Sequence, residues 1–180
     1  DSATHSSANA TIRGGSFGFL GQDMRVTFKC KKMQQTFFVS NESSKGWREQ
    51  SGTDKKNITW LTSFVGKKHT LHTTLLFTDL MYQTPGGLTL FQMGQNPKWA
   101  RQATPTLPSA VAQQTAVYNQ TFLGSVQYVY HFSKLVYWEN FVTAVQTHFK
   151  NPFITNYEIR EEKNSSGGSH LTLNKHHRSE

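Results

Sequence analysis

Five asparagines stand in Asn-x-Ser/Thr triplets, the pattern to which oligosaccharides are attached in the secretory pathway. None of the triplets has proline in the middle position, and roughly two would be expected by chance from the composition. Because glycans are added to exposed sites of secreted chains, the triplets predict a glycosylated extracellular or cell-surface protein with these asparagines in loops. They are Asn9, Asn41, Asn57, Asn119 and Asn164.

The single cysteine, Cys30, is unusual for an extracellular domain, where cysteines tend to occur in pairs. It ends an alternating run in which Met24, Val26 and Phe28 would share its face of a strand. One interpretation is a buried thiol that packs as a small hydrophobe. A second is an intermolecular disulfide, favoured by the flanking lysines and compatible with a homodimer. A catalytic nucleophile ranks third.

Other reactive side chains form no recognisable catalytic or metal-binding pattern. The 8 histidines and 11 carboxylates are thinly spread. His69 and His72 would point to opposite faces of a strand, and the glycines near residue 15 lack phosphate-loop spacing. The sequence therefore predicts a non-enzyme with no cofactor and no metal.

The charge and composition limit the class of partner. A net charge of +8 and a pI near 9.7 would suit an acidic partner, but the basic residues occur in short scattered groups without a nucleic-acid-binding motif. We therefore expect no nucleic acid. Since no apolar run approaches the roughly 18–20 residues of a membrane helix, we expect membrane contact only through an anchor outside this sequence.

Alternating apolar residues predict a mostly β domain over residues 16–160, between a flexible leader (1–15) and a flexible tail or stalk (161–180). One short helix is predicted at 139–150, where four apolar residues follow helical spacing and Pro152 ends the run. The predicted strands are 24–30, 33–39, 57–65, 70–82, 88–93, 116–123, 125–132, 135–138 and 153–159.

A proline-rich segment at 94–110 is predicted to be a long loop, because three prolines keep it out of regular structure. Trp99 stands there beside Lys98 and Arg101. Tryptophan flanked by cations is typical of protein interfaces, so these three residues are the candidate partner-binding site. The alternative is that Trp99 packs back onto the sheet.

Two family resemblances extend this interpretation. The run from Gly21 to Cys30 resembles the second strand of an immunoglobulin-type domain, and 125–130 resembles the later strand that faces it. The segments 24–27, 35–38 and 57–60 also resemble the opening strands of MHC class I-like viral proteins. Both families include cytomegalovirus-type immunoevasin glycoproteins that bind host immune receptors.

These resemblances imply an immunoglobulin-like antiparallel β-sandwich or, alternatively, an α+β MHC class I-like platform. The predicted function is a viral immune-evasion ectodomain that binds a host protein receptor on immune cells. Two alternatives stay open, a secreted carrier of a small apolar ligand and a secreted hydrolase.

Overall fold

Eight antiparallel strands form one sheet in which every strand pairs with its neighbours in sequence. The computed structural model describes residues 5–153 and 156–174. The strands are β1 (Ser7–Gly15), β2 (Phe19–Cys30), β3 (Met33–Ser44), β4 (Thr53–Val65), β5 (His69–Gln83), β6 (Ala116–His131), β7 (Val136–Phe153) and β8 (Asn156–Leu173).

The connections divide the sheet into two ends. At one end, which we call the turn end, the chain reverses within 31–32, 66–68 and 132–135. The other, the loop end, carries 16–18, 45–52 and the 84–115 segment. That segment contains two short helices, α1 (Leu90–Gln95) and α2 (Ala110–Gln113). No helix in the described ranges is long and apolar enough to cross a membrane.

The mostly β prediction is confirmed, but the helix predicted at 139–150 is wrong, because these residues lie within β7. Phe141, Val145 and Phe149 are spaced by four, an even number that places them on one face of a strand as well as of a helix. The same stretch contains the β-branched residues Val142 and Thr143, which favour strands. Pairing with β6 and β8 along both edges completes the strand.

The predicted leader and tail are also corrected. Residues 7–15 form β1 and 161–173 belong to β8, while 1–4 and 175–180 lie outside the described residues. Their Ser, Thr and Gly content suggested loose chain, but small polar residues also fit a sheet face that contacts no apolar layer.

The strand predicted at 88–93 is wrong, because residues 88–89 are irregular and α1 begins at Leu90. Thr89 caps this helix: its Oγ1 accepts a hydrogen bond from the Gln92 backbone N–H at 3.2 Å, and the Thr89 N–H donates to Gln92 Oε1 at 3.0 Å. This reciprocal pair is a capping box, which stabilises the first helical turn.

The sheet has no apolar core of the usual kind. Among the described residues the buried hydrophobic side chains are Ala100, Ala110, Ala116 and Val117, and all four lie at or near the loop end. Many large apolar side chains of the strands are instead solvent-exposed, and most of the others are half-buried.

Candidate functional site

The exposed large apolar side chains of the strands gather on one face of the sheet, which we call the apolar face. Strand register links Val39, Ile58, Phe77 and Phe122 in one row across β3 to β6. Ile58 is 52% exposed and Phe122 50% exposed. Among the exposed large apolar residues of the strands, Leu61, Val65 and Tyr82 lie on the opposite face. All the others lie on the apolar face. They are Ile12, Leu20, Met24, Phe28, Met33, Phe37, Val39, Ile58, Trp60, Leu75, Phe77, Tyr118, Phe122, Val126, Trp138, Val142, Tyr157, Ile159, Leu171 and Leu173.

The exposed apolar side chains of β3 to β6 form a band across the sheet, which we call the apolar band. The row that contains Val39 and Phe77 continues as Gln146 on β7 and Lys163 on β8. On β8 the exposed apolar side chains lie instead toward the two ends of the strand, Tyr157 and Ile159 near the loop end and Leu171 and Leu173 near the turn end. On β4 and β5, a facing pair of charged residues, Lys56 and Asp79, borders the band on the loop-end side.

The opposite, polar face carries cross-strand pairs of hydroxyl and amide groups. Asn57 Nδ2 donates to Ser40 Oγ at 3.1 Å, and Thr78 Oγ1 donates to Asn57 Oδ1 at 2.8 Å. Ser125 and Thr143 share a hydrogen bond of 2.9 Å. Facing polar pairs of this kind stabilise a sheet by about 0.2–1 kcal/mol each.

An ion-pair cluster joins three strands on the same polar face near the loop end. Arg13 Nη2 lies 3.0 Å from Asp23 Oδ1 and 2.9 Å from Glu42 Oε1. All three side chains are partly exposed, so the cluster indicates a solvated surface.

Aromatic side chains cluster on the apolar face at the turn end. His69 Nδ1 and Tyr128 Oη are 2.6 Å apart, and the Tyr130 and Phe132 rings meet edge to face with centroids 4.8 Å apart. On β7, Trp138 Nε1 donates to Ser169 at 2.7 Å. The apolar band thus ends in rings that carry polar groups at their edges, an arrangement suited to a boundary between apolar and aqueous surroundings.

At the loop end, side chains of the 45–52 loop form hydrogen bonds with the backbone of the 84–115 segment. We call these two segments together the loop platform. The Arg48 guanidinium donates to the Trp99 carbonyl at 2.7 and 3.1 Å and to the Gly86 carbonyl at 3.2 Å. Glu49 Oε2 accepts from the Ala100 N–H at 3.1 Å, and Gln50 Nε2 donates to the Thr115 carbonyl at 3.0 Å. These bonds fix the long segment onto the end of the sheet.

Comparison with solved structures places this sheet among known folds. The chain is similar to the ferric citrate transporter FecA, whose crystal structure was determined in the unliganded form, with a TM-score of 0.61 over 81% of this chain. The likeness is one of fold, because sequence identity is 14%. The chain spans 21% of the transporter's length. No protein-family model and no curated protein matches the sequence.

The predicted contact residues Lys98, Trp99 and Arg101 all lie in the loop platform, but Arg101 has a structural role there. Its guanidinium donates to the Pro108 carbonyl at 3.0 Å and to Gln113 Oε1 at 2.9 Å. Lys98 is exposed and Trp99 half-buried. Their use in partner binding stays a prediction.

Cys30 lies on the apolar face, as the predicted alternation of Met24, Val26 and Phe28 requires. The thiol is exposed and free, so the buried-thiol interpretation is wrong. It is exposed because no second layer covers that face within the described residues. The intermolecular disulfide stays a prediction.

The five asparagines predicted to lie in glycosylated loops all lie in strands. The amide of Asn57 is bonded on both sides, and Asn119 Oδ1 accepts from Thr121 within its own triplet at 2.9 Å. Asn9 and Asn164 are exposed on the polar face. Their glycosylation stays a prediction, but the loop placement is corrected.

Sequence reasoning missed Arg48, Glu49 and Gln50, the residues that hold the loop platform. The segment Gly46–Gly52 contains a signal in its two glycines: Gly46 has a φ of +81°, and a Cβ there would collide with Ser51. A tight loop next to a strand therefore needed glycine, but nothing in its sequence identified the docking partner.

Proposed function

We propose that this chain forms part of the wall of a membrane-spanning antiparallel sheet. The apolar face contacts lipid, and the polar face lines an aqueous interior. The observation that carries this proposal is that most of the solvent-exposed large apolar side chains of the strands lie on one uncovered face. In a water-soluble domain that face would be packed against a second layer.

The large accessible surface of the chain, together with its exposed apolar face, favours a lipid environment. The accessible surface of the chain is 12585 Å², against about 8,800 Å² expected for a compact monomer of this mass. Contiguous apolar patches on soluble monomers rarely exceed a few hundred Å². Since burial contributes roughly 25 cal/mol per Å², covering this face with lipid would stabilise the sheet strongly.

Strand length and connection length fit the same proposal. A strand needs roughly 9–11 tilted residues to cross a bilayer, and β2 to β8 have between 12 and 18 residues. Membrane sheets of this type combine short turns at one end with longer loops at the other, and aromatic residues border their apolar band.

The outer edges of β1 and β8 imply that further strands complete the wall. Within residues 5–153 and 156–174 neither outer edge has a strand partner, and each unpaired N–H or C=O group costs several kcal/mol within lipid. The sheet must therefore pair with flanking strands or with another copy of itself. Because the match covers only 21% of the similar transporter, we propose that this segment belongs to a larger transport protein.

The loop platform favours a second candidate function, the binding of an external partner. Leu90 is 87% exposed and Phe91 74% exposed on α1, and the Arg48 hydrogen bonds fix their supporting loop. The predicted roles as a host-receptor ligand or an apolar-ligand carrier belong here as proposals. The viral origin and the immunoglobulin-like sandwich also stay predictions from the sequence, and a sandwich would need a second sheet over the apolar face.

Refolding from urea tests the membrane proposal. When the urea is diluted into phosphatidylcholine vesicles, we expect β-sheet circular dichroism, co-flotation with the vesicles and protease cleavage confined to the 84–115 segment. Dilution into plain buffer is the matched control, where we expect aggregation because the apolar face has no cover. A monomeric, protease-resistant sheet in buffer that does not float with vesicles would contradict the proposal.

A further inference from the structure

A row of polar side chains crosses the apolar face near the loop end, and we call it the border row. Lys56 and Asp79, the pair that borders the apolar band, are two of its members. Strand register places one polar residue from each of β3 to β8 in this row. They are Asn41, Lys56, Asp79, Gln120, His148 and Glu161. Gln22 continues the row on β2, so only β1 among the described strands has an apolar residue there, Ile12.

Charged side chains on the apolar face concentrate in the border row and on its loop-end side. Within the described strands, this face has one lysine, arginine, aspartate or glutamate between the row and the turn end, Lys163 on β8. Lysine side chains extend along apolar surface to reach polar surroundings, and Lys163 lies two residues from Glu161 of the row. The others lie in the row or beyond it, and they are Asp54, Lys56, Asp79, Lys150 and Glu161.

The part of the sheet beside and beyond the border row is charged on both faces. On the polar face, the ion-pair cluster of Arg13 joins β1 to β3 at this level. On the apolar face, the next register row toward the loop end contains Asp54 and Lys150. Its apolar members, which include Leu20 and Ile159, therefore have charged residues in the same row. Hydrocarbon over these charges would destabilise the sheet, whereas headgroups and water solvate them.

The length of sheet between the border row and the turn end matches one hydrocarbon layer. On β5, Asp79 lies ten residues from His69 of the turn-end aromatic cluster. On β6, Gln120 lies ten residues from Tyr130 of the same cluster. Ten residues of strand extend about 33 Å. In strands tilted by about 40°, this length spans about 25 Å of depth, which is the height of the apolar band in membrane sheets.

We propose that the border row lies at the edge of the hydrocarbon layer and contacts the headgroups of one leaflet. The loop-end side of the sheet, with the loop platform, then lies in water on both faces. The proposal rests on the membrane-wall function, but it restricts lipid contact to the part of the apolar face between the row and the turn end. Since β4 continues from Lys56 to Thr53, about 10 Å of strand separates the platform from the row.

Spin labelling of the full chain in phosphatidylcholine vesicles tests this placement. Cys30, which is exposed and free, is changed to serine, and a nitroxide is attached to Tyr118→Cys, Phe122→Cys or Val126→Cys. These three residues lie on the apolar face of β6, with Gln120 of the border row between the first two. Molecular oxygen concentrates in hydrocarbon and a water-soluble nickel complex is excluded from it, so their collision rates with the nitroxide report its depth.

We expect the nickel complex to be excluded at Val126→Cys and Phe122→Cys and to collide freely at Tyr118→Cys. The Phe122 and Tyr118 labels should differ in depth by about 10 Å. Ser125→Cys is the matched control on the polar face, next to Val126, and free collision is expected there. Equal exclusion at Tyr118→Cys and Phe122→Cys would overturn the placement and leave the membrane wall intact. Equal accessibility of Ser125→Cys and Val126→Cys would be a failure of the wall itself.

Arginine substitutions give a second measurement that needs no label. Val126→Arg should lower the folding equilibrium constant in vesicles about 30-fold or more, and Tyr118→Arg about fivefold at most, because the cost of a charge falls from the bilayer centre to its surface. Val126 is 47% exposed and Tyr118 39% exposed, so neither arginine is forced into a packed core. Equal losses in the two variants would overturn the placement.

Discussion

Replacement of Leu75 by arginine is expected to lower the stability of the chain in lipid bilayers by about 2–4 kcal/mol. Leu75 lies in the middle of the apolar band, in one row with Phe37 and Trp60, and is 38% exposed. In a bilayer this position would place a guanidinium near the hydrocarbon centre. The folding equilibrium constant in vesicles, measured by urea titration, should fall by a factor of about 30 to 1,000.

Thr74→Arg is the matched control, because Thr74 is the adjacent residue on the polar face and pairs with Leu61 and Ser125. If that face lines water, the same charge there should change stability by less than about 1 kcal/mol. The account would be contradicted if both variants behaved alike, or if Leu75→Arg increased the amount of folded protein in lipid-free buffer.

The second large effect is expected from Arg48→Ala, which removes the guanidinium bonds to the carbonyls of Trp99 and Gly86. Hydrogen bonds to charged groups contribute about 1.5–3 kcal/mol each where they are shielded from water. Since this site is part-buried, we expect the free energy of local unfolding of the loop platform to fall by about 2 kcal/mol, with no change in the strands. Amide hydrogen exchange at Glu49, Ala100 and Arg101 should accelerate about 30-fold.

Arg25→Ala provides a control that removes the same charge from β2. Arg25 lies on the polar face over the Phe38 ring and contacts no residue of the loop platform. Exchange in the 84–115 segment should be unchanged in this variant, and exchange in the strands should be unchanged in both. Acceleration spread evenly over the sheet in Arg48→Ala would show that Arg48 stabilises the whole fold rather than the docking of two loops.

Much of the strand pattern follows from the sequence, because apolar and polar residues alternate over β2 and because β5 is rich in residues that favour strands. The helix at 139–150 could not be separated from a strand by apolar spacing alone. Residues four apart share a face in both structures, so only pairing with β6 and β8 decides between them. That pairing is a long-range property of the chain.

The excess of Asn-x-Ser/Thr triplets has a structural explanation in the sheet itself. Residues i and i+2 of a strand point to the same face. A face rich in asparagine, serine and threonine therefore generates these triplets without any glycosylation. Four of the five, those beginning at Asn9, Asn57, Asn119 and Asn164, lie on the polar face. This composition accounts for the triplets on its own, and glycosylation of the asparagines stays a prediction.

The sequence could not predict what covers the apolar face of the sheet. Alternation in β2 predicts that Met24, Val26 and Phe28 share a face, and the register confirms it. Periodicity does not state whether protein or lipid covers that face, since both environments select apolar side chains. The arrangement of the eight described strands in one sheet leaves the apolar face without a covering layer of protein. This arrangement is what favours lipid over protein as the proposed cover of that face.

Fluorescence quenching by brominated lipids tests the lipid-facing surface most directly. Trp60 lies on the apolar face and is 39% exposed, whereas Trp47 lies in the 45–52 loop and is 48% exposed. In proteins that retain one of these tryptophans, with the other three changed to phenylalanine, acyl-chain bromine should quench Trp60 strongly and Trp47 weakly. Equal quenching of the two, or none at Trp60, would contradict the assignment of the apolar face to lipid.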